Sequence, residues 1–428
     1  MRALLVLFIV LASLPFILRQ PHIGVYMWSW LGYMNPHLLA WSTQPFAEIV
    51  AGATLIAMVF TKEPKKIPWT RESIVLLVFV IWMLITTIFA DLPYWAWAKW
   101  DKVWKVQLFI FITLMFITDQ KRLQILVWVI VLSLGFYGVK GGIFTIRTGG
   151  TALVLGPGGS FIGTRGEIGT ALNMTIPLMR YLQLSTPIQW VKHGMAVAMG
   201  LTVFAVIGTS SRGAFLGLVV VAFLLFLKSR GKLLLIVMMA VLGYIAYNFV
   251  PEEWTSRMHT IETYEQDGSA MGRIEAWKYA ISVANASPIV GGGFNITAGR
   301  RAAHSIYFQI LGEHGYVGLA LYLMLGLMTW RSASWVRRQA KRHEDLRWAG
   351  DLAAMLQVSL ATFSIGGAFL SQAYFDLTYH FVAMVVILKV LTLKYLAGQE
   401  SQQEAASAVR GIKLKRQGAG AFTPGLSK

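Results

Sequence analysis

One histidine and a handful of arginines are the residues of this 428-residue chain best equipped for chemistry. His304 opens the stretch "AAHSIYFQILGEHGYVG" (302–318), just after Arg300 and Arg301. An imidazole with an ordinary pKa of about 6.5 accepts a proton near neutral pH, so His304 could serve as a general base. Arg212 lies in "GTSSRGAFLG" at the head of an apolar run with no carboxylate beside it in sequence, and Arg273 lies in "DGSAMGRIEAWKYAISVANASPIVGGGFN" (267–295). The planar, permanently charged guanidinium fork suits phosphate oxygens. Arg147, Arg165, Arg257, Arg300 and Arg301 extend the set. The plainer alternative is that the loop arginines pair locally with Glu252, Glu253, Glu262, Glu265 and Glu275.

Glu313 and His314 interrupt the apolar run that His304 begins. On a regular helix, the nine residues from His304 to Glu313 correspond to about 900° of rotation and about 13 Å of rise. Glu313 is therefore expected on the opposite face, unable to orient His304. Glu275 and Tyr307 are the candidates for that role. Gly312, Gly315 and Gly318 have the small-residue spacing of a close helix crossing.

These residues must be positioned by membrane-spanning helices. The composition is 56% hydrophobic and 14% charged, against about 25% charged in a soluble domain. Apolar runs of spanning length fall near 3–18, 46–61, 73–90, 103–118, 123–139, 166–184, 193–209, 213–228, 233–250, 303–330, 350–371 and 378–397. The fold expected is an all-α polytopic membrane protein of about twelve transmembrane helices. The basic loops "TKEPKKIPWTR", "DQKR", "KSRGK" and "RSASWVRRQAKRHEDLR" belong on the cytoplasmic side. Keeping them together makes 23–42 interfacial or re-entrant and leaves both termini cytoplasmic. The chain then divides into N-terminal helices (1–250), an external loop (251–302), C-terminal helices (303–398) and a polar tail (399–428) expected to be disordered.

The candidate arginines fall outside, where topology disfavours cations, so they call for a reason such as phosphate. In the external loop, Ile274, Trp277, Ile281 and Ala284 recur at helical spacing as one apolar stripe. The net charge of +18 sits in short loops between apolar runs, which reflects membrane topology and anionic headgroups and not nucleic acid. The chain has no cysteine, excluding thiol catalysis and disulfides. No metal-ligand spacing, P-loop or dinucleotide fingerprint is present, so no cofactor is expected. Ionisable residues are scarce in the middles of the apolar runs, which weakens an ion-coupled transporter.

Three blocks resemble the O-antigen ligase and polymerase superfamily, most closely its O-antigen ligases and related O-glycosylation ligases. They are the Ser-Arg-Gly helix start in "GTSSRGAFLG", the Gly-Arg, Trp, Pro and Gly-x-Gly pattern in "GRIEAWKYAISVANASPIVGGGFN", and the His, Glu and Gly pattern in "HSIYFQILGEHGYVG". They cover roughly 160–330, in order and on one expected face. The stretch "GTRGEIGTALNM" departs from the Asp-Pro-Asn-Asp-like segment often found before that helix. The resemblance implies a metal-independent, inverting glycosyltransferase of the GT-C type at the periplasmic face of a Gram-negative inner membrane. Its donor would be an undecaprenyl-pyrophosphate-linked polysaccharide and its acceptor a sugar hydroxyl of lipid A–core. In that frame His304 is the general base. Arg212 and Arg273 bind the pyrophosphate, with Arg301, Arg165 and Arg147 in support. Sister activities, an O-antigen polymerase or a protein O-oligosaccharyltransferase, would share these residues, and a lipid-linked glycan transporter would use the arginines without chemistry.

Overall fold

The computed structural model describes residues 2–42, 44–228, 268–297 and 302–419, with backbone alone at 268–270 and 403–419. The expected span at 233–250, most of the external loop, and Arg257, Arg300 and Arg301 lie outside the described residues. All regular elements described are helical. They are α1 (Arg2–Arg19), α2 (Pro21–Met34), α3 (Pro36–Leu39), α4 (Phe46–Phe60), α5 (Arg71–Ile88), α6 (Pro93–Phe116) and α7 (Gln120–Arg147), followed by α8 (Arg165–Ser185), α9 (Gln189–Gly208) and α10 (Arg212–Lys228). After the undescribed segment come α11 (Gly268–Ala286), α12 (Ile306–Ala340), α13 (Arg347–Gly366) and α14 (Asp376–Ala419).

Seven of the described helices are long and apolar enough to cross a membrane, where about twelve crossings were expected. The shortfall has a physical basis. α2, α4 and α10 have 14, 15 and 17 residues, short of the ~20 that a bilayer asks for. The long α6 carries Lys99, Asp101, Lys102 and Lys105, and α8 carries Arg165, Glu167 and Arg180.

The bundle has two distinct ends. At one, Arg122 pairs with Glu63 at 2.7 Å and donates to the Phe116 carbonyl, joining the loop 61–70, the end of α6 and the start of α7. Lys389 pairs with Glu72 at 3.0 Å nearby in α5 and α14. Of the basic loops, 61–71 and 119–122 meet here, and Ser332 of 331–347 bonds Glu72 beside them. At the other end the starts of α8, α10 and α12 meet the turn between α13 and α14.

The 23–42 segment holds α2 and α3. Tyr26 donates to the Arg122 carbonyl at the basic end, and Tyr33 bonds His380 near the start of α14 at the other. α2 therefore runs from one end of the bundle toward the other and stops at the left-handed Asn35 before Pro36. Arg2 lies over the Trp41 ring, whereas Arg19 leads straight into α2 at the basic end. The 399–419 backbone continues α14 where a disordered tail was expected, consistent with its Ala, Gln, Glu, Lys and Arg content and lack of proline.

Lipid-embedded helices gain little from apolar burial against each other, so close backbone approach and hydrogen bonds hold them. α7 and α9 show this. A Cβ at Gly138 would lie 2.3 Å from Thr202 Oγ1, and one at Gly208 2.0 Å from Thr145 Oγ1. Thr202 and Thr145 donate back to their own helices, to the Ala198 and Gly141 carbonyls, which satisfies both hydroxyls without water.

Candidate functional site

The site begins with a turn that sequence reasoning did not single out. Residues 366–374 join α13 to α14 through a short 3-10 segment, Gly367–Phe369. Three helix starts pack on it. A Cβ at Gly166 would lie 2.5 Å from Leu370 Cδ2 and 3.4 Å from Ser211 Oγ; one at Gly213 would lie 3.3 Å from Phe369 Cβ. Ile306 meets Gly367 from the third side. The glycines after Arg165 and Arg212 thus let α8 and α10 close on the turn, bringing the two arginines to neighbouring helix starts.

Each start is locally encoded. Thr164 accepts from Glu167 N while the Glu167 carboxylate accepts from Thr164 N, a capping box that fixes Arg165 in the first turn of α8. Ser211 Oγ accepts from Ala214 N at the start of α10. A helix N-terminus presents unpaired N–H groups and a partial positive charge of about half an elementary unit. Three such ends gather around one turn, with Arg165 and Arg212 on two of them.

His304 joins this cluster through its backbone. Its N–H donates to Ser371 Oγ at 2.9 Å, and the preceding carbonyl, Ala303 O, accepts from Trp277 Nε1 at 2.7 Å. Trp277 also stacks on Phe308 at 5.0 Å. His304 has φ 45°, a left-handed conformation costly for a residue with a Cβ, and Ser210 beside Arg212 has φ 50°. Two strained residues flanking the same turn fit the tendency of backbone strain to gather at functional sites.

α11 supplies Arg273, one turn before Trp277 and on the same side of the helix. The buried face of α11 meets the expected stripe at Ala284 and departs from it elsewhere: Ala276 and Ala280 are buried as well, whereas Ile281 is exposed. The small side chains win because α12 comes close: a Cβ at Gly312 would lie 3.1 Å from Ala280 Cβ.

Glu313 and His314 prove to be tied to the site, though not along their own helix. α12 breaks at Gly315, with φ 68° and ψ −172°, a conformation open to glycine. The break redirects the helix bonds to the loop 288–293. Gly292 N donates to Gly312 O, Gly293 N to Glu313 O, and Tyr316 N to Pro288 O. Gly293 must be glycine for a second reason, since a Cβ there would lie 2.2 Å from Ala90 Cβ.

On the side chains, Tyr374 donates to Glu313 Oε2, and Asn295 N donates to Oε1 at 3.0 Å. Tyr374 Oη is also 2.7 Å from His314 Nε2, and Thr86 Oγ1 is 2.6 Å from His314 Nδ1. With the Tyr374 proton on Glu313, His314 donates from Nε2 to Tyr374 Oη, and its Nδ1 faces the Thr86 hydroxyl, which also reaches the Met83 carbonyl at 3.0 Å. The result is a directed chain from His314 through Tyr374 to Glu313, fixing the turn that carries Ser371. Lys99 lies over the Tyr374 and Phe161 rings, at 5.8 and 5.4 Å, and adds a cation beside the turn.

The remaining candidates lie elsewhere. Tyr307 donates its hydroxyl to Ser364 O, and Glu275 is exposed on α11. Arg147, at the end of α7, lines an outward-facing groove between α7, α8 and α9. Arg301 lies outside the described residues. Sequence reasoning missed Ser371, Tyr374 and Lys99. A Tyr after an SQA turn carries no pattern, although Lys99 in "YWAWAKW" was visible as a lone cation among aromatic residues.

The described residues form a helical bundle with a histidine and two helix-start arginines gathered on one turn at one end. Residues 197–323 match the family model described as O-antigen ligase, and residues 1–185 match a family of unknown function. The matched domain holds Arg212, Arg273, His304 and Glu313 and supports the likeness of this part of the chain to the O-antigen ligase and polymerase superfamily. No curated protein matches the chain.

Proposed function

We propose that this protein is an O-antigen ligase, moving a glycan from a polyprenyl diphosphate carrier to a sugar hydroxyl of lipid A–core. The observation that carries this reading is the convergence of three helix starts, two of them bearing arginines, with His304 on the turn 366–374.

In the reaction, His304 takes the proton of the acceptor hydroxyl as its oxygen attacks the anomeric carbon. The bond from that carbon to the diphosphate oxygen breaks, and the electron pair leaves with the diphosphate. Attack from the opposite face inverts the anomeric configuration. Arg212, Arg165 and Arg273, with the three helix N-termini, stabilise the charge that grows on the leaving group, a contribution of about 3–4 kcal/mol per well-placed donor. General-base assistance contributes about 10²–10⁴-fold. The basic loops fit the cytoplasmic side, which would put the site at the periplasmic face of a Gram-negative inner membrane in a GT-C-type architecture.

The test is a purified reaction with undecaprenyl-diphosphate-linked glycan and three acceptors supplied separately: lipid A–core, a second lipid-linked glycan, and an acceptor protein. Transfer to lipid A–core, abolished by His304→Ala in folded enzyme, is the expected result. Transfer only to the second glycan or to protein would make the chain a polymerase or a protein glycosyltransferase. Donor binding without turnover on any acceptor would favour transport.

A further inference from the structure

The groove that Arg147 lines is separate from the transfer site. α7 packs on α9 with the face that carries Gly138, Gly142 and Thr145. The other face turns outward, where Leu132, Phe136, Ile143 and Phe144 are exposed. Against them stand Met179 of α8 and Met195 and Ala198 of α9, enclosing a groove of about 650 Å³ with nearly apolar walls.

Two cations stand on this stripe, Lys140 and Arg147. Seven residues apart, they fall on one helix face about two turns, or about 10 Å, from each other. Lys140 lies over the Phe136 ring at 5.9 Å, and among the described residues neither cation forms an ion pair with a carboxylate. Both occupy the third of α7 nearest the site end, since Thr145 abuts Gly208 at the end of α9. An apolar trough closing in two exposed cations has the polarity of a lipid with an anionic headgroup: hydrocarbon along the trough, phosphate at its mouth.

We propose that this groove binds an anionic membrane phospholipid, its acyl chain along Leu132, Phe136 and Ile143 and its phosphate between Lys140 and Arg147. The inference goes beyond the transfer reaction and does not depend on it. It also accounts for an arginine at this end of α7 without assigning it to the donor.

The experiment uses the full chain, stripped of lipid in detergent, with phosphatidylglycerol as the probe and phosphatidylcholine as the neutral comparison. Native mass spectrometry counts retained lipid, and thermal unfolding is followed as lipid is added. The wild type is expected to retain phosphatidylglycerol over phosphatidylcholine, more weakly as salt is raised. The Lys140→Ala/Arg147→Ala protein should bind it roughly tenfold or more weakly, two cations having been lost. Lys140→Arg/Arg147→Lys, which keeps both charges, should bind as the wild type does, and Lys62→Ala/Lys66→Ala at the basic end should leave retention unchanged. Equal retention of the two lipids by the wild type, or undiminished retention by the double alanine variant, would overturn the proposal. So would displacement of phosphatidylglycerol by undecaprenyl diphosphate in the wild type but not in the double alanine variant, which would give the groove to the donor.

Discussion

Glu72 and Glu313 are both buried glutamates, one at each end of the bundle, and their partners differ in kind. Glu72 faces Lys389 at 3.0 and 3.2 Å and accepts from the Ser332 hydroxyl, partners that sit inside the long helices α14 and α12, with Thr70 at the start of its own helix as a further partner. Glu313 faces no cation within ion-pair distance among the described residues. Its partners are the Tyr374 hydroxyl in a turn, the Asn295 N–H in a loop and the Gln309 side chain one turn back on α12. The first arrangement clamps helices by opposite charge. The second ties together the irregular segments on which the helix starts converge. Charge compensation builds the bundle at one end, and directed neutral hydrogen bonds hold a working geometry at the other.

The widest separation of the two ends is expected at His304. His304→Ala should lower transfer by about 10²–10⁴-fold with the thermal midpoint little changed, measured on purified enzyme with lipid-linked donor. Next comes Arg212→Ala, at roughly 10²–10³-fold, with Arg212→Lys recovering part of the rate because its ammonium lacks the bidentate fork. Full activity in Arg212→Lys would argue against a phosphate clamp.

Tyr374→Phe and Lys389→Met test the comparison directly, since each strips one partner from a buried glutamate. Each should cost on the order of 1–3 kcal/mol in stability. Only Tyr374→Phe should also reduce turnover per folded molecule, by loosening the turn that carries Ser371. A comparable turnover loss in Lys389→Met would erase the distinction between the ends. The smallest effect is expected from Glu275→Ala, whose exposed side chain should leave both stability and transfer within error.

Much of this was legible in residue types and little in their partners. His304, Arg212 and Arg273 stood out as chemistry-bearing groups at apolar boundaries, and the structure places all three at helix starts or in the adjoining α11. The turn 366–374 was not legible, because glycine, serine and alanine do their part by being small. The segments that meet there lie far apart along the chain. Periodicity misjudged α11, where hydrophobicity pointed to Ile281 while close approach selected the alanines. Helix phase also set Glu313 aside as a partner of His304, and its actual partners, Tyr374 and Asn295, come from other segments. Arg147 was grouped with the other external arginines by charge, but its helical phase turns it to the outer groove. The run 23–42 was read as interfacial or re-entrant from the charges of the loops around it; its own tyrosines, Tyr26 and Tyr33, bond to α7 and α14, partners that no loop charge announces.

The exchange of bonds at Gly315 bears on how the molecule assembles. Pro288 to Gly293 and Gly312 to Tyr316 are close in sequence, so bringing them together costs little loop-closure entropy. The pairing needs no distant segment of the chain. A hairpin of α11 and the first turns of α12 can therefore form during insertion, as soon as its second half has been synthesised. It would then wait, with Glu313 and His314 already aimed, for the last helix pair to deliver Tyr374 and Ser371.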